Sequence, residues 1–568
     1  MRTQNTSIDA SMSKHSMPFA PVGLPVSYPP ARRLYFENQP INHLSTEDQR
    51  LFKRFGQGPV VTPSHSHIHC AFEDRVEKNP DAIAARHLDQ SITYRELNRQ
   101  ASRLAAIMDQ HGVKSGDHVG LFLERSIPML VGILATLKLG AAYVPQHVGI
   151  TPREHLGHII ETANIRIILT LDRLEDQIPV AEGQVCLAID KMMAREQSRE
   201  HDIMRFTRGP EIDPDQTCFL LFTSGTTGRP NGVQVTHKNV CNILLTEPGN
   251  LGVKPGMKVA QILSIAFDMA AWEIFVCLSH GATLIIRGKD IQAAAEQADV
   301  VIATPTILGS LDDARCHNVR IAAVAGEPCP RPLADTWSKF ATFYNSCGPT
   351  ETTIINTAQR YDEACKDLTI GKPTPNNTVY VLDQDRKACA IGEVGEMWAG
   401  GDCVTAGYLA NDVLNRERYL PDPFLGGGRM MFRTRDLGRW NAEGELEHYG
   451  RVDDQVKVRG FRVELNSVSA AMESDPDCSQ AVALKLDNRS LVGFVSPQTV
   501  DSEKAKKVVA DLLPYYCVPA FVIALPELPM TSRGKVDKRI LLDMALRQQE
   551  TQQTTALQAS LQPSAAGR

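Results

Sequence analysis

From about residue 66 to residue 450, apolar runs of strand length alternate with stretches whose apolar positions recur at helical spacing. His118–Leu123 predicts a strand, and Ile127 through Leu139 predicts the helix after it, closed by Gly140. The runs at Cys218–Phe222, Val259–Ala266, Thr283–Ile286, Val300–Ala303 and Ile321–Ala325 repeat the strand signal. Alternation of this kind predicts an α/β fold with parallel-rich sheets sandwiched by helices. After Gly450 the pattern changes to a charged turn and then a smaller α/β unit reaching about residue 545. The expected organisation is a disordered N-terminus and helical lead-in over 1–65, a large core over 66–452, a small C-terminal domain over 453–545 and a disordered tail over 546–568.

Composition bounds this picture. A chain of 568 residues is too long for one core and implies two or more domains. A net charge of −6 argues against nucleic acid and anionic membrane as partners. No apolar run has the length of a bilayer span, and the N-terminus has no apolar signal core. The 13 cysteines are dispersed with no C-x-x-C pair, which fits buried thiols in a reducing cytoplasm. His65-Ser66-His67-Ile68-His69-Cys70 looks metal-like, but alternate residues do not easily close a tetrahedral site.

The stretch from Leu221 to Val233 carries the strongest chemical signal. Thr223, Ser224, Thr226 and Thr227 supply hydroxyls, and Gly225, Gly228 and Gly232 let backbone N–H groups turn toward a ligand. Inward N–H groups and hydroxyls form an anion cradle suited to a polyphosphate. It is not the G-x-x-x-x-G-K-[ST] loop, because the lysine is missing. Taken alone it reads equally as a Gly/Ser/Thr surface loop.

Further blocks follow in order: Phe267-Asp268-Met269-Ala270-Ala271-Trp272-Glu273, Ala325-Gly326-Glu327-Pro328, and Asn345 through Gly348-Pro349-Thr350-Glu351. Then come Gly407-Tyr408-Leu409, Arg433-Thr434-Arg435-Asp436, Gly450-Arg451-Val452-Asp453, Leu513-Pro514-Tyr515, and Ser532-Arg533-Gly534-Lys535. Together with the loop, this series resembles the adenylation domains of nonribosomal peptide synthetases, within the adenylate-forming superfamily of acyl-CoA synthetases and luciferases. The resemblance runs from about 66 to 545. It implies a large core with a small, mobile C-terminal lid, and activation of a carboxylate by ATP to acyl-AMP and pyrophosphate.

The roles below are those the resemblance implies. The loop Thr223, Ser224, Gly225, Thr226, Thr227, Gly228 wraps the phosphates. Thr350 donates to the α-phosphate, and Glu351 is the Mg2+ ligand; an N-terminal helix charge is the competing reading of Glu351. Ala325, Gly326 and Glu327 wall the adenine, Asn345 reads its amino group, and Ser346 and Cys347 lie beside it. Asp436 holds the ribose, Arg451 reaches the nucleotide, and Asp453 is the hinge. Lys535 is the catalytic cation that bridges carboxylate and α-phosphate. Asp268 pairs with the α-ammonium of an amino acid. Phe267, Met269, Trp272, Ala323, Ala325, Ser346, Ile354 and Ile355 line the side-chain pocket, which points to a bulky apolar or aromatic amino acid. The implied partner is a phosphopantetheinylated carrier protein acting in trans.

The chain departs from the family pattern in places. Asn231 stands where the phosphate loop has Lys, Cys347 where a Tyr precedes Gly-Pro-Thr-Glu, and Arg435 where Gly precedes Asp436. No carrier segment with a pantetheine-accepting Ser follows Lys538. A free-standing enzyme and a fragment of a longer synthetase both fit. An acyl- or aryl-CoA ligase and an inactive nucleotide-binding scaffold stand as alternatives.

Overall fold

The computed structural model describes residues 41–196, 212–223, 230–530 and 536–561. The calls on residues 1–40, on Ser224, Gly225, Thr226, Thr227 and Gly228 of the loop, and on Lys535 lie outside the described residues.

The sheets follow the alternating pattern. A nine-stranded sheet has the strand order Lys372–Pro373, Thr357–Tyr361, Thr342–Cys347, Ile321–Val324, Val300–Ala303, Lys258–Gln261, Thr283–Ile286, Ile83–His87, Gln90–Thr93. Its interior pairings are parallel and its edges antiparallel. A six-stranded sheet runs Val185–Ala188, Ile167–Thr170, His118–Phe122, Ala142–Gln146, Thr217–Thr223, Asn231–Thr236 and is parallel up to its last strand. Two almost wholly buried helices, Ile127–Lys138 and Asp268–Ser279, belong to the one apolar core that spans both sheets. They are apolar around their whole circumference, as a helix covered on every side must be. The first is capped by Ser126, whose hydroxyl accepts from Met129 N–H, with Pro128 at the second helical position.

The strand expected over Val259–Ala266 stops at Gln261. The reason is local: the Glu273 carboxylate captures the N–H groups of Ile262 and Leu263 at 2.8 and 3.2 Å, so the chain leaves the ladder there. Between the α/β core and the C-terminal unit lies an element the alternating pattern did not announce. It is a five-stranded antiparallel sheet of Asn377–Leu382, Gly395–Gly401, Met430–Trp440, Tyr419–Pro421 and Leu446–Arg451. The lead-in helix Thr46–Phe55 packs on it through Phe52, which meets Tyr380 and Phe424 at ring separations of 6.0 and 5.4 Å.

Beyond Arg451 the chain forms a hairpin, Gln455–Val458 with Phe461–Glu464, and a three-stranded sheet of Gln480–Lys485, Leu491–Ser496 and Phe521–Ala524. These bury separate apolar clusters, one around Val463, Val468 and Met472 and one around Phe494, Leu528 and Leu541. We call this unit the small lobe. Its last helix, Lys538–Leu561, continues through the segment whose Gln/Ser/Ala composition reads as a tail. Among the described residues no helix is long and apolar enough to cross a membrane.

Candidate functional site

A cavity of about 860 Å³ lies at the C-terminal ends of the parallel strands, where open α/β sheets place their ligands. Thr304, Ala325 and Arg287 reach it directly after their strands, and the small-lobe hairpin covers it with Lys457, Phe461 and Arg462. The lobes meet closely here. Gly460, at φ +82°, packs so tightly that a Cβ would come within 2.5 Å of Thr304 Cγ2.

Part of the cavity wall is polar. Asn345 lies within the strand Thr342–Cys347 and donates to the Thr369 carbonyl at 2.6 Å. Ser346 Oγ and Glu327 Oε1 are buried without hydrogen-bond partners on this wall. Such atoms carry a desolvation cost that a ligand's polar edge would relieve. Glu327 is held by its other oxygen, which accepts from Thr306 N–H at 2.9 Å. Ala325, Gly326 and Cys347 line the same region, and burial pushes the Cys347 thiol up to about 12.

The wall also carries a chain of charges. Arg451 donates to Asp436 at 2.7 Å and to both Asp453 oxygens at 2.8 and 3.0 Å. Burial alone would raise the Asp436 pKa. The His448 hydrogen bond and the charges of Arg451 and Lys457 outweigh it and hold the carboxyl at about 2. Arg435 sits at φ +63°, a left-handed conformation that explains why glycine is the expected residue there. Its guanidinium reaches Asp453 at 3.4 Å and also contacts Glu417.

Apolar side chains line the cavity too: Phe267, Met269 and Ile354 belong to its wall, and Asp268 stands at the first position of the helix Asp268–Ser279. Asp268 is partly buried and accepts from the Thr350 hydroxyl at 2.8 Å. Burial raises its pKa, against the opposing pull of Thr350 and Lys457. Asp268 has no ion pair among the described residues. Thr353 and Ile354 both hold positive φ, at 57° and 67°, a strained pair of β-branched residues beside the cavity.

Three expected pocket residues are absent from the cavity lining in this structure. Trp272 is fully buried and donates from Nε1 to the Gly249 carbonyl at 2.7 Å. Ala323 and Ile355 are likewise buried in the core and absent from the lining. Thr223 does reach the cavity.

Glu351 differs most from expectation. It is fully buried, and both its oxygens accept from Arg462 Nη1, at 2.8 and 3.0 Å, with the Tyr408 hydroxyl on Oε1. Burial would raise its pKa, but Arg462, Arg418 and Tyr408 together hold it at about 2. In this lobe arrangement Arg462 and Tyr408 compete with any metal ion for the Glu351 oxygens, and among the described residues no group of three His, Cys, Asp or Glu side chains is arranged for a metal. Arg462, Tyr408 and Lys457 carry this part of the site, and sequence reasoning assigned them no role. The available signal was the row of cations Lys457, Arg459 and Arg462 on one hairpin, too many for a purely structural turn.

Comparison with known proteins places this geometry. Residues 72–409 match the family described as AMP-binding enzyme. Adenylate-forming reductase 06235 of Coprinopsis cinerea is 42% identical over 529 residues, covering 92% of this chain and 51% of that protein. Gramicidin S synthase 1 of Brevibacillus brevis is 32% identical over 522 residues, 88% of this chain and 46% of that protein. The chain thus spans about half the length of these relatives. Among solved structures, holo-PA1221, described as a nonribosomal peptide synthetase protein with adenylation and carrier domains bound to a vinylsulfonamide inhibitor, aligns with a TM-score of 0.74. It is 22% identical and covers 87% of this chain and 86% of that one. A four-domain synthetase, holo-AB3403 bound to AMP and glycine, aligns with a TM-score of 0.62 at 29% identity, covering 86% of this chain and 37% of that one.

Proposed function

The chain belongs to the AMP-binding enzyme family and is an adenylate-forming enzyme; from that premise we propose that its acid substrate is an α-amino acid and that the acyl group passes to a phosphopantetheine thiol. In the first step a carboxylate oxygen bonds to the α-phosphorus of ATP. The bond from that phosphorus to the bridging oxygen breaks, and pyrophosphate leaves with the electron pair. In the second step the thiol sulfur bonds to the acyl carbon, AMP leaves, and the thiol proton passes to solvent.

Asp268 is the observation that carries the amino-acid reading. It is a carboxylate on the cavity wall, fixed by Thr350 and without an ion pair among the described residues. An unpaired acid in such a place is costly until a cation arrives. An α-ammonium supplies that cation and turns the substrate's carboxylate toward the nucleotide end. There Asp436 and Arg451 are placed for the ribose, and the orphan atoms of Ser346 and Glu327 for the adenine edge. Lys535, which lies outside the described residues, is proposed to cancel the repulsion between carboxylate and triphosphate.

A second reading draws on the relatives named as adenylate-forming reductases. In it the activated acyl group is delivered as a thioester for later reduction by another part of a longer protein. Both readings share the first half-reaction. ATP–pyrophosphate exchange with matched amino acids and their des-amino analogues tests the substrate class. The expected result is exchange with an amino acid only, lost at least tenfold in Asp268→Ala. Equal exchange with a des-amino acid, unaffected by Asp268→Ala, would transfer the chain to the acyl- or aryl-acid group.

A further inference from the structure

Beyond the amino-acid end, the cavity passes a row of aromatic rings. Phe267 meets Phe461 edge-on at 4.6 Å, and Phe461 meets Tyr515 at 5.7 Å and stacks on Tyr516 at 3.9 Å. Two guanidiniums line the large-lobe wall of the same cavity. Arg125 follows the strand His118–Phe122, and Arg287 follows Thr283–Ile286. Arg125 is held by its Nε, which donates to the Leu263 carbonyl at 2.8 Å. Arg287 Nε is buried and has no hydrogen-bond partner among the described residues. Burial lowers the pKa of both arginines, with the Arg287 charge lowering that of Arg125 further, and burial lowers His147 with smaller contributions from both guanidiniums.

Neither arginine has an ion pair among the described residues. The acids whose charge acts on them make their hydrogen bonds elsewhere: Glu124 is paired with Arg173, and the buried Glu273 accepts from Ile262, Leu263 and Gln261. Arg459 and the Tyr515 hydroxyl face the same place from the small lobe. Like charges brought together on a cavity wall cost free energy unless an anion joins them. Guanidinium pairs match the oxygens of phosphate and carboxylate in particular.

We propose that Arg125 and Arg287 form an oxyanion site at the acceptor end of the cavity and that its ligand is the phosphate of a phosphopantetheine-type thiol. The inference rests on the reading that the acyl group passes to such a thiol. Two features favour the acceptor over a second acid group on the substrate. The site is completed by small-lobe residues, Arg459 and Tyr515, so it exists only in this lobe arrangement. In the same arrangement Arg462 occupies Glu351, the carboxylate that the family resemblance assigns to the metal of ATP. The occupant therefore arrives when the metal-bearing triphosphate is gone. The thiol end of the ligand then points past Phe461 and Phe267 toward Asp268, and the phosphate end toward the arginines.

The test is calorimetric titration of the intact chain, with AMP present, using 4′-phosphopantetheine and dephosphorylated pantetheine. The expected result is binding of the phosphorylated form at least tenfold tighter. The difference falls to within about twofold in Arg287→Met and is partly kept in Arg287→Lys, with melting temperatures matching wild type to show that the variants are folded. Equal affinity for the two forms in wild type, or an unchanged ratio in Arg287→Met, would overturn the site. So would a change in ATP affinity or in acid preference in that variant, because the arginines would then serve the first half-reaction. A titration with coenzyme A distinguishes sources: tighter binding than 4′-phosphopantetheine indicates the free cofactor, equal binding a carrier-tethered arm, and both retain the site. Failure of wild-type pyrophosphate exchange with every acid would remove the proposed function while leaving the titration to decide the anion site on its own.

Discussion

Two carboxylates, Glu273 and Glu351, are each completely shut off from solvent, and their surroundings drive them in opposite directions. Glu273 sits on the helix Asp268–Ser279 inside the large core. It is met by peptide N–H groups and the Gln261 amide, and burial wins: its pKa rises to about 8. Glu351 sits under the small lobe, is met by the Arg462 guanidinium, and charge wins: its pKa falls to about 2. The first is an architectural fixture, satisfied by its own lobe. The second is satisfied only while the small lobe stays where it is, so its charge couples lobe position to the chemistry beneath.

The largest expected effect breaks the second environment alone. Arg462→Met leaves a buried charge without its main partner, a change that costs about 3–5 kcal/mol when a buried pair is broken. Tyr408 and Arg418 remain nearby, so the lower end is expected, and the loss should appear as undocking of the small lobe. Faster proteolysis near Val452, with large-lobe melting unchanged, would show this. An unchanged cleavage rate would mean that the pair does not hold the lobes together.

A smaller effect is expected at Glu273. Glu273→Ala orphans two buried N–H groups and should lower large-lobe stability by about 2–3 kcal/mol. Glu273→Gln keeps the shape of the protonated acid and should cost under about 1 kcal/mol, as read by denaturant unfolding. Equal losses would show that the ionised form is the one the fold requires.

The third contrast is in pH. Glu351, depressed from 4.5 to about 2, contributes fully above about 4.5, and its contribution is lost as pH falls toward 2. Glu273, raised from 4.5 to about 8, contributes fully below about 4.5 and loses its contribution as pH rises through 8. Lowering pH from about 4.5 toward 2 should loosen the lobe contact, and raising it from about 4.5 to 8 should weaken the large core, each by at most about 1.4 kcal/mol per pH unit within its window. Parallel slopes for proteolysis near Val452 and for global melting would remove the contrast.

Much of the parallel framework was legible because buried strands and all-apolar helices write their period directly into the chain; Thr283–Ile286 and Val300–Ala303 match residue for residue. The antiparallel sheet over 377–451 was not, because only one short helix, Asp412–Arg418, stands among its strands, and the alternation fails there. Asp268, Asn345 and Asp436 could be placed from their motifs, and they meet around one cavity. Trp272 could not, because helical spacing does not say which side of an all-buried helix faces a ligand. Arg462, Arg125 and Arg287 stayed silent for a different reason. Their partners lie more than a hundred residues away or are absent, and long-range charge pairing leaves no local pattern.

The central claim is that a carboxylate oxygen attacks the α-phosphorus of ATP in this cavity, and following that oxygen tests it most directly. With the acid that supports exchange, labelled with oxygen-18 in its carboxylate, one label should appear in the phosphate of AMP after transfer to a pantetheine thiol. Label in pyrophosphate or orthophosphate, or AMP that carries none, would contradict the account.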